Sequence, residues 1–205
     1  MNTTTLPDTS RQRGRPREFD ADSALDKALV VFTERGYHAT SISDLTEAMG
    51  LTAGSVYKAF KDKRGIFIAA FDRYRAVRLD LQKRRIEAVS TGRDKLAALL
   101  GFFAEAAHGP AGLRGCLTIN SAADIALFDE EVAAHIAAAY RFDERVFADL
   151  LRLGQQDGTV RTDIDAAATA GALLSLTKGM RIVGKTGRTE AEMAATVTTM
   201  LALLA

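Results

Sequence analysis

An all-α fold of about nine helices is predicted by three features of the chain. Apolar residues recur at helical spacing over most of its length, capping residues stand ahead of those stretches, and Gly- or Pro-containing breaks separate them. No convincing strand and no internal repeat is present. A first helix is expected from about Asp20 to Arg35, with Leu25, Ala28, Leu29 and Phe32 as its inward stripe and Gly36 as its stop. Ser41 and Asp44 form a capping box for a second, in which Ile42, Leu45 and Met49 share a face and Gly50 supplies the turn. Thr52 caps a third, from Ala53 to Phe60, with Val56 and Phe60 pointing inward four residues apart.

A long fourth helix is expected from Lys63 to about Val89. Its stripe is Ile66, Phe67, Ala70, Phe71, Tyr74, Val77 and Leu81, and the basic Lys83-Arg-Arg85 suits the negative pole of its dipole. Five more helices are expected at about 93–107, 116–125, 129–155, 164–184 and 189–204. Breaks at Gly109-Pro110-Ala-Gly112, Asp157-Gly158 and Gly184-Lys-Thr-Gly187 separate most of them.

Composition narrows the function classes. The 205 residues are 47% hydrophobic and 26% charged, with a formal net charge of +1, which suits a soluble globular chain able to bury a sizeable core. The polar first ten residues predict no secretory leader. No apolar run approaches the length of a membrane span, and the longest, Ala166 to Thr177, includes Thr and Ser. One cysteine makes no internal disulfide and fits a reducing cytoplasm. Residues 1–65 hold ten Lys and Arg against nine Asp and Glu, so a general nucleic-acid coater, which would be far more basic, is disfavoured. The placement of charge is more telling, because basic residues gather in an arm at residues 11–17 and again at 58–64.

The second and third helices with their glycine turn read as a helix-turn-helix, motif 41–60. The outward face of the third carries Thr52, Ala53, Ser55, Tyr57 and Lys58 with no acid among them, and such a helix fits a major groove about 12 Å wide. Gly54 in that helix costs roughly 1 kcal/mol against Ala; close approach to nucleic acid or a packing crossing would each explain it. Tyr57, Lys58, Lys63 and Thr40 or Ser41 are candidate phosphate contacts, while Thr52, Ala53 and Ser55 would discriminate bases. Arg13, Arg15 and Arg17 would track phosphates or enter an adjacent minor groove.

At these residues the chain resembles the N-terminal domain of the TetR family of transcriptional repressors. The matching segments are GRPREF, the FxxxGY of Phe32 to Tyr37, TSISDLTEAMGLTAGSVYKAF and the KDK of Lys61 to Lys63, within about residues 13–75. Ala59 departs from the bulkier His or Tyr often found there. The resemblance implies a tail at 1–12, a DNA-binding domain at 13–62 and an effector-binding and dimerisation domain at 63–205. It also implies a homodimer on a palindromic double-stranded operator, and release when a small molecule in the C-terminal domain moves the fourth helix.

The same resemblance places dimerisation on the last two long helices, in a four-helix bundle. Small residues there recur every fourth position: Ala167, Gly171, Ser175 and Gly179, then Ala191, Ala195 and Thr199; an intramolecular crossing is the rival. Candidate effector residues are Phe102, Phe103, Cys116, Asn120, Tyr140, Phe147, Thr177 and Met180, and such a lining points to an apolar or aromatic molecule. Cys116 reads either as a small buried apolar group or as a thiol activated by a helix N-terminus and Arg114, which would make the protein a thiol- or electrophile-sensing repressor. A DNA-architectural protein without an inducer is the alternative from another class. No metal-ligand spacing, cofactor fingerprint or catalytic constellation is legible, so no metal, cofactor or enzyme activity is expected.

Overall fold

A computed structural model describes residues 20–205. Among them run ten α-helices: α1 (Ala21–Arg35), α2 (Ile42–Met49), α3 (Ala53–Phe60), α4 (Lys63–Glu87), α5 (Gly92–Glu105), α6 (Gly109–Arg114), α7 (Leu117–Ala123), α8 (Glu130–Gln156), α9 (Ala166–Val183) and α10 (Glu190–Ala202). Two single 3-10 turns, Ile125–Leu127 and Gly184–Thr186, complete the order, and no strand occurs among the described residues. The helices expected from sequence stand within a few residues of their expected bounds. The addition is α6, in a segment expected only as a break. Pro110 begins it, since proline suits a first turn where its missing N–H has no partner to lose. No single helix among the described residues is long and apolar enough to cross a membrane. Arg13, Arg15 and Arg17 lie outside the described residues.

Local chemistry fixes the N-terminal corner. Asp20 accepts from the backbone of Asp22 and Ser23 to start α1. Ser41 and Asp44 close the reciprocal capping box on α2, and Gly50 ends it in a left-handed conformation (φ 67°) where a side chain would be strained. Thr52 accepts from the Ser55 N–H at the start of α3, and Asp62 from the Gly65 N–H at the start of α4. Gly65 is required there, because a Cβ would collide with the Phe60 carbonyl.

Two apolar cores divide the chain, and α4 runs through both regions. The first buries Phe32, Leu45, Val56, Ile66, Phe67 and Phe71, and it takes in Leu117, Val132 and Ile136 from α7 and α8. Phe128 packs against Tyr37 and Phe67 at ring distances of 4.9 and 5.3 Å, so the segment ahead of α8 lies directly on the α1–α2 turn and on α4. The second core gathers Leu96, Leu100, Phe147, Leu151, Leu173 and Met200 from α5, α8, α9 and α10. Arg73 on α4 clamps α1 by bonds of 2.7 Å to both Asp22 and Asp26. At the other end of α4 the ammonium of Lys95 caps the Ile86 and Val89 carbonyls at 2.8 and 2.5 Å. The long helix is thereby held to the first core at one end and to α5 at the other.

Candidate nucleic-acid interface and effector cavity

Val56 turns α3 inward and is 1% exposed, which leaves the opposite side of the helix to solvent. Thr52, Ala53, Gly54, Tyr57 and Lys58 are all exposed there, and Ser55 is half-buried. Tyr57 stands out at 53% exposure. A Cβ built on Gly54 would meet nothing within 4 Å among the described residues, so a packing crossing with any of them is not the reason for that glycine. The Thr52 and Ser55 hydroxyls lie 3.0 Å apart and form a small polar ledge at the start of the helix. This side is polar, carries the Lys58 cation and has no acidic residue of its own helix.

Three of the expected phosphate contacts have internal work. The Lys63 ammonium donates to the carbonyls of Tyr37 and Thr40 at 3.1 and 3.0 Å and lies 4.4 Å from the centre of the Tyr37 ring. Thr40 is 2% exposed and donates its hydroxyl to the Gly36 carbonyl at 2.6 Å. Both therefore shape the turn between α1 and α2 rather than its outer surface, because the FxxxGY turn leaves carbonyls that need donors. Ser41 is exposed, but its hydroxyl is engaged with Asp44 at 2.7 Å. The Ser41 hydroxyl, then its backbone N–H and the Arg35 guanidinium, hold the Asp44 carboxyl below its usual range against a smaller effect of burial.

The second site lies where α4, α7 and α9 meet. Tyr74, Arg75, Arg78 and Gln82 reach it from α4, Phe103 from α5, Cys116 and Thr118 from the start of α7, Asp143 from α8, and Lys178 and Arg181 from α9. The enclosed space is only about 20 Å³, room for roughly one water. Asp143, 6% exposed, pairs with Arg75 at 2.9 Å through one oxygen and with Lys178 at 2.8 Å through the other. Arg78 has no carboxylate partner among the described residues; its guanidinium lies over the rings of Phe102 (4.5 Å) and Tyr74 (5.5 Å). Arg181 is 5% exposed and donates to the Gly115 carbonyl at 2.6 Å, but its Nε–H finds no acceptor among the described residues. An unsatisfied buried donor of that kind costs about 1–3 kcal/mol.

The Cys116 sulfur sits 3.2 Å from the Tyr74 hydroxyl. Burial opposes the thiolate, yet the Tyr74 hydroxyl, the Ile119 backbone N–H and the charges of Arg181 and Arg78 together bring the thiol below its ordinary pKa. Burial, aided by the facing thiol, pushes the Tyr74 phenol well up, so it stays protonated as a donor.

Of the residues expected to hold an effector, Phe103 and Cys116 line this space, and Phe102 lies just behind it beneath Arg78. Tyr140 braces the wall by donating to the Thr118 carbonyl at 3.3 Å. The others belong elsewhere. Phe147 and Met180 are buried in the second core, and Thr177 is fully buried with its hydroxyl on the Leu174 carbonyl. Asn120 donates to the Thr33 carbonyl of α1 and accepts from the Lys185 ammonium, tying the turn after α9 to α1. The lining is accordingly far more charged than the apolar lining expected. The missed residues did carry a signal: Arg75, Arg78 and Gln82 follow the buried stripe of α4 at helical spacing, and Asp143 interrupts the buried stripe of α8.

A family model of bacterial regulatory proteins, tetR family, matches residues 24–70, and one for the tetracyclin repressor-like C-terminal domain matches residues 92–200. The chain belongs to the TetR family. It is a DNA-binding transcriptional regulator. The Escherichia coli K12 repressor ComR is 32% identical over 91% of this chain and 90% of its own. The Bacillus subtilis regulator YezE is 28% identical over 77% of this chain and 81% of its own. The TetR-family regulator CifR, solved as a cysteine mutant with 26-bp double-stranded operator DNA, superposes with a TM-score of 0.80 at 29% identity. That match covers 92% of this chain and 98% of CifR. In this TetR-family chain the outer face of α9 and α10 is open. Leu176, Ile182 and Val183 are 43%, 56% and 42% exposed, and Leu203 is 61% exposed. Ser175, Ala191, Ala195 and Thr199 are exposed, and a Cβ on Gly179 would meet nothing, whereas Gly171 turns toward Glu144 of α8.

Proposed function

We propose that two copies of this TetR-family repressor, paired through the outer face of α9 and α10, seat their α3 helices in major grooves of a palindromic operator in the cytoplasm. Occupation of the cavity between α4, α7 and α9 by a small molecule then releases them. The observation that carries the DNA side is the outward surface of α3, which no described residue covers, with Gly54 open and Tyr57 and Lys58 projecting. Thr52, Ala53 and Ser55 face base edges, while Tyr57, Lys58 and the arm arginines Arg13, Arg15 and Arg17 contact phosphates. CifR, of the same fold, is held on operator DNA in its solved complex. The role is binding rather than turnover.

The release step follows from α4. Its first half lies in the DNA-side core through Ile66, Phe67 and Phe71, and its middle forms one wall of the cavity. A molecule larger than a water must push that wall outward, which tilts the helix-turn-helix and alters the spacing of the two α3 helices. A tenfold loss of affinity needs only about 1.4 kcal/mol of preference for the displaced state.

Gly54→Leu separates a DNA surface from a packing surface. The side chain enters open space and favours helix, so the free protein should lose no stability. Operator affinity should fall by about 100-fold, since the added isobutyl group stands where the groove floor would be. Fluorescence anisotropy on the DNA upstream of the gene, alongside a melting curve, reads both. Unchanged affinity would contradict the assignment of α3.

A further inference from the structure

We infer that the cavity between α4, α7 and α9 takes a small organic anion, a carboxylate with an apolar or aromatic tail, as the effector; this rests on the regulator reading above. Four cations, Arg75, Arg78, Lys178 and Arg181, line the space against the one carboxylate of Asp143, a formal charge of +3. Asp143 already has both oxygens engaged, one by Arg75 and one by Lys178. Among the described residues, Arg78 and Arg181 have no acid within ion-pair distance and the Nε–H of buried Arg181 has no acceptor. Cations taken out of water without a counter-charge are unfavourable, and an incoming carboxylate relieves that cost where a neutral molecule does not. A guanidinium with free N–H groups also matches a carboxylate by direct hydrogen bonds. Phe103, Leu79 and Ile119 supply the apolar wall for the remainder of such a molecule.

Entry is available from the side of the helix-turn-helix. A groove of about 180 Å³ between α1 and the α6–α7 corner shares Tyr74, Arg78 and Arg181 with the cavity. An anion drawn in along it meets the two unpaired guanidiniums first. Because the closed space holds only about one water, any carboxylate larger than that separates α4 from α7 and α9. Charge attraction thus drives the displacement that releases DNA.

Benzoate and butyrate serve as probes, with benzamide and butyramide as neutral counterparts of similar shape, all at fixed ionic strength. At saturating millimolar concentration a carboxylate should raise Tm by about 3 °C and weaken operator binding by about tenfold or more, while the amides do neither. Arg78→Met and Arg181→Met should lose both responses. Arg181 also holds the Gly115 carbonyl, so Arg78→Met, whose guanidinium has ring contacts only, keeps the test decisive if Arg181→Met does not fold. Amides matching the carboxylates, silence with both carboxylates, or responses surviving in Arg78→Met would overturn the proposal. If the ligand-free wild type fails to bind operator, the regulator reading fails instead, whatever the melting curves show.

Discussion

Replacing Tyr57 and Lys58 together by alanine is expected to lower operator affinity by about 1,000-fold and to leave the dimer unchanged. Both side chains project from α3 on the side opposite Val56, and both are exposed. Neither is needed for packing, so stability should stay within about 0.5 kcal/mol of wild type. A dimer presents each residue twice, and four lost contacts of about 1 kcal/mol each account for the expected factor. Titration of labelled upstream DNA gives the affinity, and light scattering after gel filtration gives the mass. The Lys58 share should shrink as salt rises, because a phosphate contact releases counterions that high salt already supplies. Wild-type affinity in the double variant would remove α3 from the interface.

Ser175→Arg with Gly179→Arg is expected to convert the protein to monomers, with operator affinity falling by two to four orders of magnitude. Ser175 is exposed and a Cβ at Gly179 meets no described atom within 4 Å, so both positions have room for a side chain in the single protomer. Across a two-fold axis they would place like charges on a small-residue ridge and hold the helices apart. Leu176, Ile182 and Leu203 would then stay exposed, an apolar surface that pairing is expected to cover. The DNA effect follows from linkage: once one α3 is seated, the second arrives at an effective concentration that separate monomers do not have, a factor of about 10²–10⁴. A variant that remains dimeric with wild-type affinity would place the pairing surface elsewhere.

The helix-turn-helix was legible from sequence because its signals are local. Ser41 with Asp44, Gly50, Thr52 and Asp62 act on backbone groups within a few residues, so cap identity and glycine position suffice to bound α2, α3 and α4. The rival explanation of Gly54 needed the neighbours of a bare Cα, which only tertiary structure supplies. Lys63 shows the same limit from the other side. A lysine opening a helix after a DNA-reading motif suggests a phosphate contact, yet the carbonyls it serves lie 23 and 26 residues upstream. In the cavity the aromatic residues drew attention and the charges did not. Arg75, Lys178 and Asp143 come from three different helices, and nothing in their separate segments says that they meet. Asp143 on the inward stripe of α8 was the legible clue, since an acid is almost never that buried unless paired.

If α3 enters the major groove twice per dimer, methylation protection of guanine N7 on the DNA upstream of the gene reveals it. N7 lies in the major groove, so protection there reports the groove and the spacing together. Two protected clusters are expected, symmetric about a dyad and centred about one helical turn or a multiple of it apart, both lost with Tyr57→Ala and Lys58→Ala. Protection scattered without a dyad, or binding that leaves every N7 reactive, would contradict it.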